Sequence, residues 1–233
     1  MHKRISSYIP DAITCLNLVS GCIAIFMAFN IGTSFGAFTG GQWAMIAIAA
    51  AAVFDFFDGA SARALNAYSD LGKDLDSLSD LVSFGVAPAM LVLNAMLAAG
   101  TPLAAGLFTL AIPVCGAIRL AKFNNDTTQG SVFKGLPIPA NAIFWIGTYA
   151  WFGKYGFPGW VPVVPVILLV SQAMTANFRM FSLKFKNFDL APNFLRYVIL
   201  FAAILFLVCY GLAGLVWTIL LYILLSYFGR NRF

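Results

Sequence analysis

Eight mostly apolar stretches, at 11–32, 41–66, 73–98, 102–122, 137–153, 160–179, 194–210 and 211–228, account for most of this chain. A helix that crosses a bilayer needs about 20 predominantly apolar residues, and water-soluble domains do not repeat such runs so densely. Hydrophobic residues make up 61% of the chain and charged ones 10%, with a mean hydropathy of +0.87, well beyond an ordinary soluble composition. The expected fold is therefore an all-α polytopic membrane protein of about eight transmembrane helices, the last two divided at Tyr210-Gly211. No repeat of fixed period and no soluble domain interrupts it, so residues 1–233 read as a single integral-membrane domain.

Lys and Arg near helix ends stay on the cytosolic side, which orients the chain. With eight spans and both termini cytosolic, Lys3, Arg4, Arg63, Lys73, Arg119, Lys122, Lys134, Arg179, Lys184, Lys186, Arg196, Arg230 and Arg232 all fall inside, and only Lys154 falls outside. The net charge of +5 then faces an anionic inner leaflet, and no nucleic-acid module is present. Residues 1–10 read as a short interfacial segment. Trp151, Tyr155 and Trp160 mark an outer aromatic belt, and Pro88 and Pro113 are expected to kink their helices. Cys15, Cys22, Cys115 and Cys209 lie inside spans without a CxxC pair, and the single histidine, His2, is terminal. Zinc sites and Ser/His/Asp chemistry are thereby disfavoured. The longer polar loops are cytosolic, so function is expected at that face.

Six of the nine acidic residues fall within DFFDGASARALNAYSDLGKDLDSLSD, residues 55–80. Asp55 and Asp58 are three apart on the second helix, and Asp76 and Asp80 four apart on the third, spacings that put each pair on one helical face. A tight turn between the helices lets the pairs meet near the membrane surface. Each aspartate costs roughly 2.5–3.5 kcal/mol on insertion scales at a helix centre, and four together repel one another. An all-oxygen set of this kind suits a hard divalent cation, Mg²⁺ or Mn²⁺, and four carboxylates suit two ions. Paired ions of this sort clamp phosphoryl groups. Gly59, Ala60, Ser61 and Ala62 leave one side of the helix open to a ligand, and Arg63 stands one turn beyond Asp58, ready for a phosphate oxygen. Asp70 and Asp74 read as turn and helix-start residues. Taken singly these aspartates read as solvated helix ends; as an ensemble they do not.

Written out, 55–80 is D-x2-D-G-x2-A-R-x8-G-x3-D-x3-D, carried by Asp55, Asp58, Gly59, Ala62, Arg63, Gly72, Asp76 and Asp80. This resembles the signature of the CDP-alcohol phosphotransferases. The stretches DSLSDLVSFGVAPA at 76–89, IRLAKFN at 118–124, FKGLPIPA at 133–140 and the opening IPDAITCLNLVSGCIAI are similar to the branch that transfers a phosphatidyl group to serine; Ser79 and Lys134 depart from it mildly. The resemblance implies a six-helix catalytic core at 11–179 followed by two further helices at 194–228. It also implies CDP-diacylglycerol and L-serine as substrates, CMP as leaving group, and a homodimer in the inner membrane with its active site facing the cytosol. Carried over, Asp55, Asp58 and Asp76 would be metal ligands, Asp80 ligand and general base, and Gly59, Ala62, Arg63 and Gly72 nucleotide and phosphate contacts.

Zwitterionic serine needs a cation for its carboxylate. Arg119, Lys122, Asn124 and Lys134 lie at the cytosolic end of the fourth helix and in the loop after it; Arg119, set back from the helix end, is the best placed, the alternative being that these cations snorkel to the interface. Asn17 reads either as a helix–helix hydrogen bond or as a polar contact to the cytidine. Two other functions compete: a transferase of the same family using glycerol phosphate, inositol, inositol phosphate or choline, and a divalent-cation transporter, since intramembrane aspartates also mark ion pathways.

Overall fold

The computed structural model describes residues 8–125, 132–182 and 189–229. Most of the expected interfacial segment, with His2, Lys3 and Arg4, lies outside the described residues, as do Lys184, Lys186, Arg230 and Arg232. The described residues are 83% helical, in keeping with the all-α expectation. Its helices are α1 (Tyr8–Phe29), α2 (Gly40–Leu65), α3 (Asp70–Asp80), α4 (Ala87–Ala98), α5 (Leu103–Gly106), α6 (Ala111–Asn125), α7 (Ile138–Tyr155), α8 (Trp160–Thr175), α9 (Leu190–Tyr210) and α10 (Gly214–Phe228). Two short antiparallel ribbons join them, β1 (Ser34–Phe35) with β2 (Phe38–Thr39), and β3 (Val132–Lys134) with β4 (Arg179–Phe181).

Among the described residues five helical runs are long and apolar enough to cross a membrane: Tyr8–Phe29, Gly40–Leu65, Asp70–Ala98, Leu103–Asn125 and Asn193–Phe228. The chain is thus an integral membrane protein. The last run, at 36 residues, is too long for one crossing of a ~30 Å hydrocarbon layer. Its backbone breaks at Gly211, where φ is 65°. Arg196 Nε, early in α9, donates to the Ser182 carbonyl (2.7 Å), and Tyr222 Oη, late in α10, donates to the Phe181 carbonyl (2.7 Å). Both ends of the run therefore return to one place, and α9 and α10 form a hairpin, divided where the sequence put the break.

Lysine hydrogen bonds sort the remaining helix ends. Lys73 Nζ donates to the Asn124 carbonyl (3.0 Å) and Lys122 Nζ to that of Thr175 (3.2 Å), gathering the start of α3 and the C-termini of α6 and α8 at one end. Lys154 Nζ donates to the Tyr210 carbonyl (3.2 Å) at the other. Of the three residues expected in the aromatic belt, Trp151 and Tyr155 meet there with ring centroids 4.4 Å apart, and Trp151 also meets Trp217 edge-on at 5.9 Å.

Packing explains the irregular stretches. Between α3 and α4, Leu81–Val86 is π-helical, with the Ala87 N–H reaching back to the Val82 carbonyl. Pro88 has no N–H for the Phe84 carbonyl four residues earlier. That carbonyl instead accepts from Asn141 Nδ2 (3.2 Å), and Asn141 Oδ1 in turn accepts from Trp145 Nε1 (2.8 Å). The kink foreseen at Pro88 is thus a widened turn satisfied from α7. The α1 face that meets it is small and polar: Thr14, Asn17, Ser20, Gly21, Ala24 and Ala28 are all buried. Gly21 approaches so closely that a Cβ there would stand 2.9 Å from Ser83 Cα and against its hydroxyl. Small residues allow such approach between helices in lipid.

Candidate metal and phosphate site

The capping chemistry of two helices sets the geometry of the site. Asn66, with φ 49° and ψ 41°, ends α2 in the left-handed conformation, and its N–H caps the carbonyls of Ala62 and Arg63. Three residues later Ser69 begins α3, its hydroxyl accepting from the Gly72 N–H (2.9 Å). A turn this short aligns the end of α2 with the start of α3, and carboxylate oxygens of Asp55, Asp76 and Asp80 come within 4.8 Å of one another. Asp80 is 8% exposed, and Asp55 and Asp76 are half-buried.

Ligand oxygens around one Mg²⁺ at ~2.1 Å stand about 3.0 Å apart when adjacent and about 4.2 Å when opposite, so carboxylates already within 4.8 Å of one another can close on such an ion by side-chain rotation. The donor set fits as well, being all carboxylate and half-buried, with strong mutual repulsion that a cation relieves.

Asp58 stands slightly apart from the trio. It is 6% exposed, and its Oδ2 lies 2.7 Å from the Thr14 hydroxyl. That hydroxyl is also 3.0 Å from the Pro10 carbonyl; with one proton to give, the charged acceptor is the stronger claimant. Asp55, Asp58 and Asp76 share one cavity of about 800 Å³ between α1, α2 and α3, where α1 contributes Asp11 and Thr14, α2 Asp55, Asp58, Gly59, Ala62 and Arg63, and α3 Gly72, Lys73 and Asp76. Asp80 does not line it; buried, it stands behind Asp55 and Asp76. Gly59 and Gly72 keep the walls low: a Cβ on Gly72 would meet Asp11 Oδ1 and Ser69 Oγ at 3.0 Å.

Asn17 makes the helix–helix contact that its place in α1 suggests. Fully buried, its Nδ2 donates to Asp80 Oδ1 (3.4 Å), and its backbone carbonyl accepts from Ser83 Oγ (3.0 Å). It is not among the residues that line the cavity.

The four acceptor candidates divide. Arg119 is 9% exposed, lies within electrostatic reach of Asp80, and has no hydrogen-bond partner on Nε; its guanidinium carbon is 5.8 Å from the centre of the Phe123 ring. A snorkelling side chain would reach for water, and this one does not. Asn124 Nδ2 donates to Ser77 Oγ (2.8 Å), beside Asp76. Lys122 is exposed and bonded to Thr175, while Lys134 is exposed on β3 opposite Arg179. The structure therefore draws Arg119 and Asn124 towards the acidic cluster and leaves Lys122 and Lys134 at the surface.

Asp11, Thr14, Lys73, Ser83 and Tyr222 also belong to this neighbourhood, and none was singled out from sequence. A signal existed for one of them: Thr14 stands three residues before Asn17 on one face of α1, a polar stripe that a lipid-facing helix would not carry. Ser83 and Tyr222 gave none.

The family described as CDP-alcohol phosphatidyltransferase matches residues 7–176. The CDP-diacylglycerol--serine O-phosphatidyltransferase of Bacillus subtilis is 41% identical over 135 residues, covering 57% of this chain and 70% of that protein. The protein of the same name from Methanocaldococcus jannaschii is 34% identical over 165 residues, covering 70% and 71%. An archaetidylserine synthase of Methanothermobacter thermautotrophicus is 36% identical over 179 residues, covering 75% and 71%.

Proposed function

The chain belongs to the CDP-alcohol phosphatidyltransferase family, and from that premise we propose that it transfers the phosphatidyl group of CDP-diacylglycerol to the hydroxyl of L-serine, giving phosphatidylserine and CMP. The observation that carries the reading is the convergence of Asp55, Asp76 and Asp80 beside a cavity that also takes in Asp58, Gly59, Ala62, Arg63 and Gly72. Serine as the acceptor is supported by the names of the relatives, two of them serine O-phosphatidyltransferases and one an archaetidylserine synthase.

Members of this family depend on divalent metal. Mg²⁺ or Mn²⁺, two ions in our reading, would be held by Asp55, Asp58, Asp76 and Asp80 and would neutralise the pyrophosphate. The chain's own groups do the rest. Arg63 and Lys73 face the cavity and take phosphate oxygens, and Gly59, Ala62 and Gly72 let the nucleotide come close to the helix backbones. Asp80, the buried member of the trio and within reach of Arg119, accepts the proton of the serine hydroxyl as the new bond to phosphorus forms. The bond from that phosphorus to the CMP oxygen breaks, and CMP leaves. Arg119 holds the serine carboxylate, with Asn124 beside it and Lys122 and Lys134 lending positive potential at the rim. Asn17 orients the Asp80 carboxylate.

The wider assignment follows the same logic: one membrane domain of eight spans with both termini cytosolic, a catalytic core at 11–179, two added helices at 194–228, and a homodimer in the cytoplasmic membrane with the site open to the cytosol. The direct test is incorporation of labelled serine into extractable lipid. Asp80→Asn is expected to abolish incorporation while CDP-diacylglycerol binding stays within a few-fold of the unsubstituted protein. Turnover close to the original rate would remove Asp80 from the role of base.

A further inference from the structure

The cavity at the carboxylates has two kinds of border. Of the residues that line it, Phe56, Arg63, Tyr68 and Lys73 are exposed. Arg63, Tyr68 and Lys73 stand at the turn between α2 and α3, where they make a polar rim. Phe56 lies apart from that rim, seven residues before Arg63 and so about 10 Å farther along α2, inside the apolar run Gly40–Leu65. Although it stands in sequence between two carboxylates of the site, its side chain is 66% exposed.

An exposed phenylalanine at this depth of a spanning helix faces hydrocarbon. Val53, one turn deeper on the same face of α2, is exposed as well and extends the apolar border. The cavity wall therefore passes from cations near the turn, through Asp58 and Asp55, to an aromatic ring open to lipid. Phe57 provides the contrast: it is 54% exposed and meets Phe56 edge-on with ring centroids 5.7 Å apart, yet it does not line the cavity.

A nucleotide esterified to diacylglycerol carries its groups in the same order, a base that prefers water, a pyrophosphate, and two acyl chains that stay in the bilayer. With the pyrophosphate beside the aspartates and the base towards the turn, the chains are left the side of Phe56. In hydrocarbon a ring gains little by touching one acyl chain in place of another, so its contribution is one of shape.

We propose that Phe56 forms the threshold of a lateral opening between the cavity and the bilayer, over which the acyl chains of CDP-diacylglycerol pass, and that it thereby sets the fit of the lipid-linked substrate. The inference rests on the reading of CDP-diacylglycerol as donor and is independent of the acceptor.

The full chain in lipid nanodiscs, carrying Phe56→Trp, tests the width of the opening. The KM for CDP-dioleoylglycerol, varied as a mole fraction of the bilayer, is expected to rise at least fivefold, while the inhibition constant of soluble CDP and the affinity for Mn²⁺ stay within twofold. An unchanged KM overturns the proposal, and so does a parallel weakening of CDP and Mn²⁺, which marks a ring that only shapes the carboxylate site. A photocrosslinking p-benzoylphenylalanine placed at 56 or at 57 gives a second measurement, which also serves if Phe56→Trp does not accumulate. CDP-dioleoylglycerol labelled in its acyl chains is expected to be captured at 56 with at least fivefold suppression by excess CDP, and at 57 without suppression, as bulk lipid is. Capture at 56 that ignores CDP, or equal suppression at both positions, overturns the proposal. An unsubstituted protein that neither binds nor turns over CDP-diacylglycerol contradicts the donor assignment itself, whereas a protein that uses this donor and is indifferent to Phe56→Trp contradicts the role of Phe56 alone.

Discussion

Thr14 illustrates how a single hydroxyl shapes this site. Its proton goes to Asp58 Oδ2 at 2.7 Å in a setting nearly closed to water. A hydrogen bond to a charged group contributes about 1.5–3 kcal/mol, so Thr14→Val, nearly isosteric, is expected to weaken cation binding about tenfold or more. Calorimetric titration of Mn²⁺ into the solubilised protein measures this directly, and an unaltered affinity would mean that Asp58 needs no help from α1. The aspartates were legible in the sequence because their spacing is a helical spacing. Asp58 departs from the close trio for a reason the spacing does not carry: its partner is 44 residues away on another helix. Asn17 was legible as a polar residue in an apolar span, but its contact with Asp80 depends on how α1 packs on α3.

At the scale of the element, the π-helical stretch Leu81–Val86 follows directly on Asp80 and so fixes the last carboxylate of the motif relative to α4. It is stabilised from α7 through Asn141, which is fully buried and bonded both to the Phe84 carbonyl and to Trp145. Asn141→Leu strands two buried polar groups at about 1–3 kcal/mol each, and a drop in melting temperature of several degrees or more is expected. Pro88→Ala returns an N–H four residues after Phe84, and the double variant is expected to recover part of that loss. If Asn141→Leu melts like the original, the widened turn is held by something else. Pro88 announced a distortion from sequence alone, yet a kink and a π-helical turn are indistinguishable at that level, because the choice rests on a donor offered by another helix. The eight apolar stretches match the helices to within a few residues for the same reason that the aspartates were found: apolar length and helical period are written locally. The two ribbons were not foreseen; β3 and β4 join segments about 45 residues apart, within loops read only as polar.

For the whole molecule, the charge pattern and the hydrogen bonds among helix ends point to the same arrangement, with acidic and basic side chains at one end and the aromatic cluster at the other. Exposed apolar side chains such as Phe56, Phe201, Val208 and Leu169 give the bundle an exterior suited to lipid. In a version with the four cysteines replaced, Pro158→Cys is expected to react with a membrane-impermeant maleimide on intact cells, and Tyr68→Cys only after permeabilisation. Labelling of position 68 from outside would invert the topology and remove the site from the cytosol. The central claim concerns the acceptor, and the measurement that bears on it most directly is CMP release by the purified protein from CDP-diacylglycerol with Mg²⁺ or Mn²⁺. Serine, glycerol 3-phosphate, inositol and no acceptor are compared. Release that depends on serine, and exceeds the no-acceptor rate at least tenfold, is the expected result. Release driven by another acceptor would keep the carboxylate site and contradict the reading of Arg119, and no release with any acceptor would contradict the transferase itself.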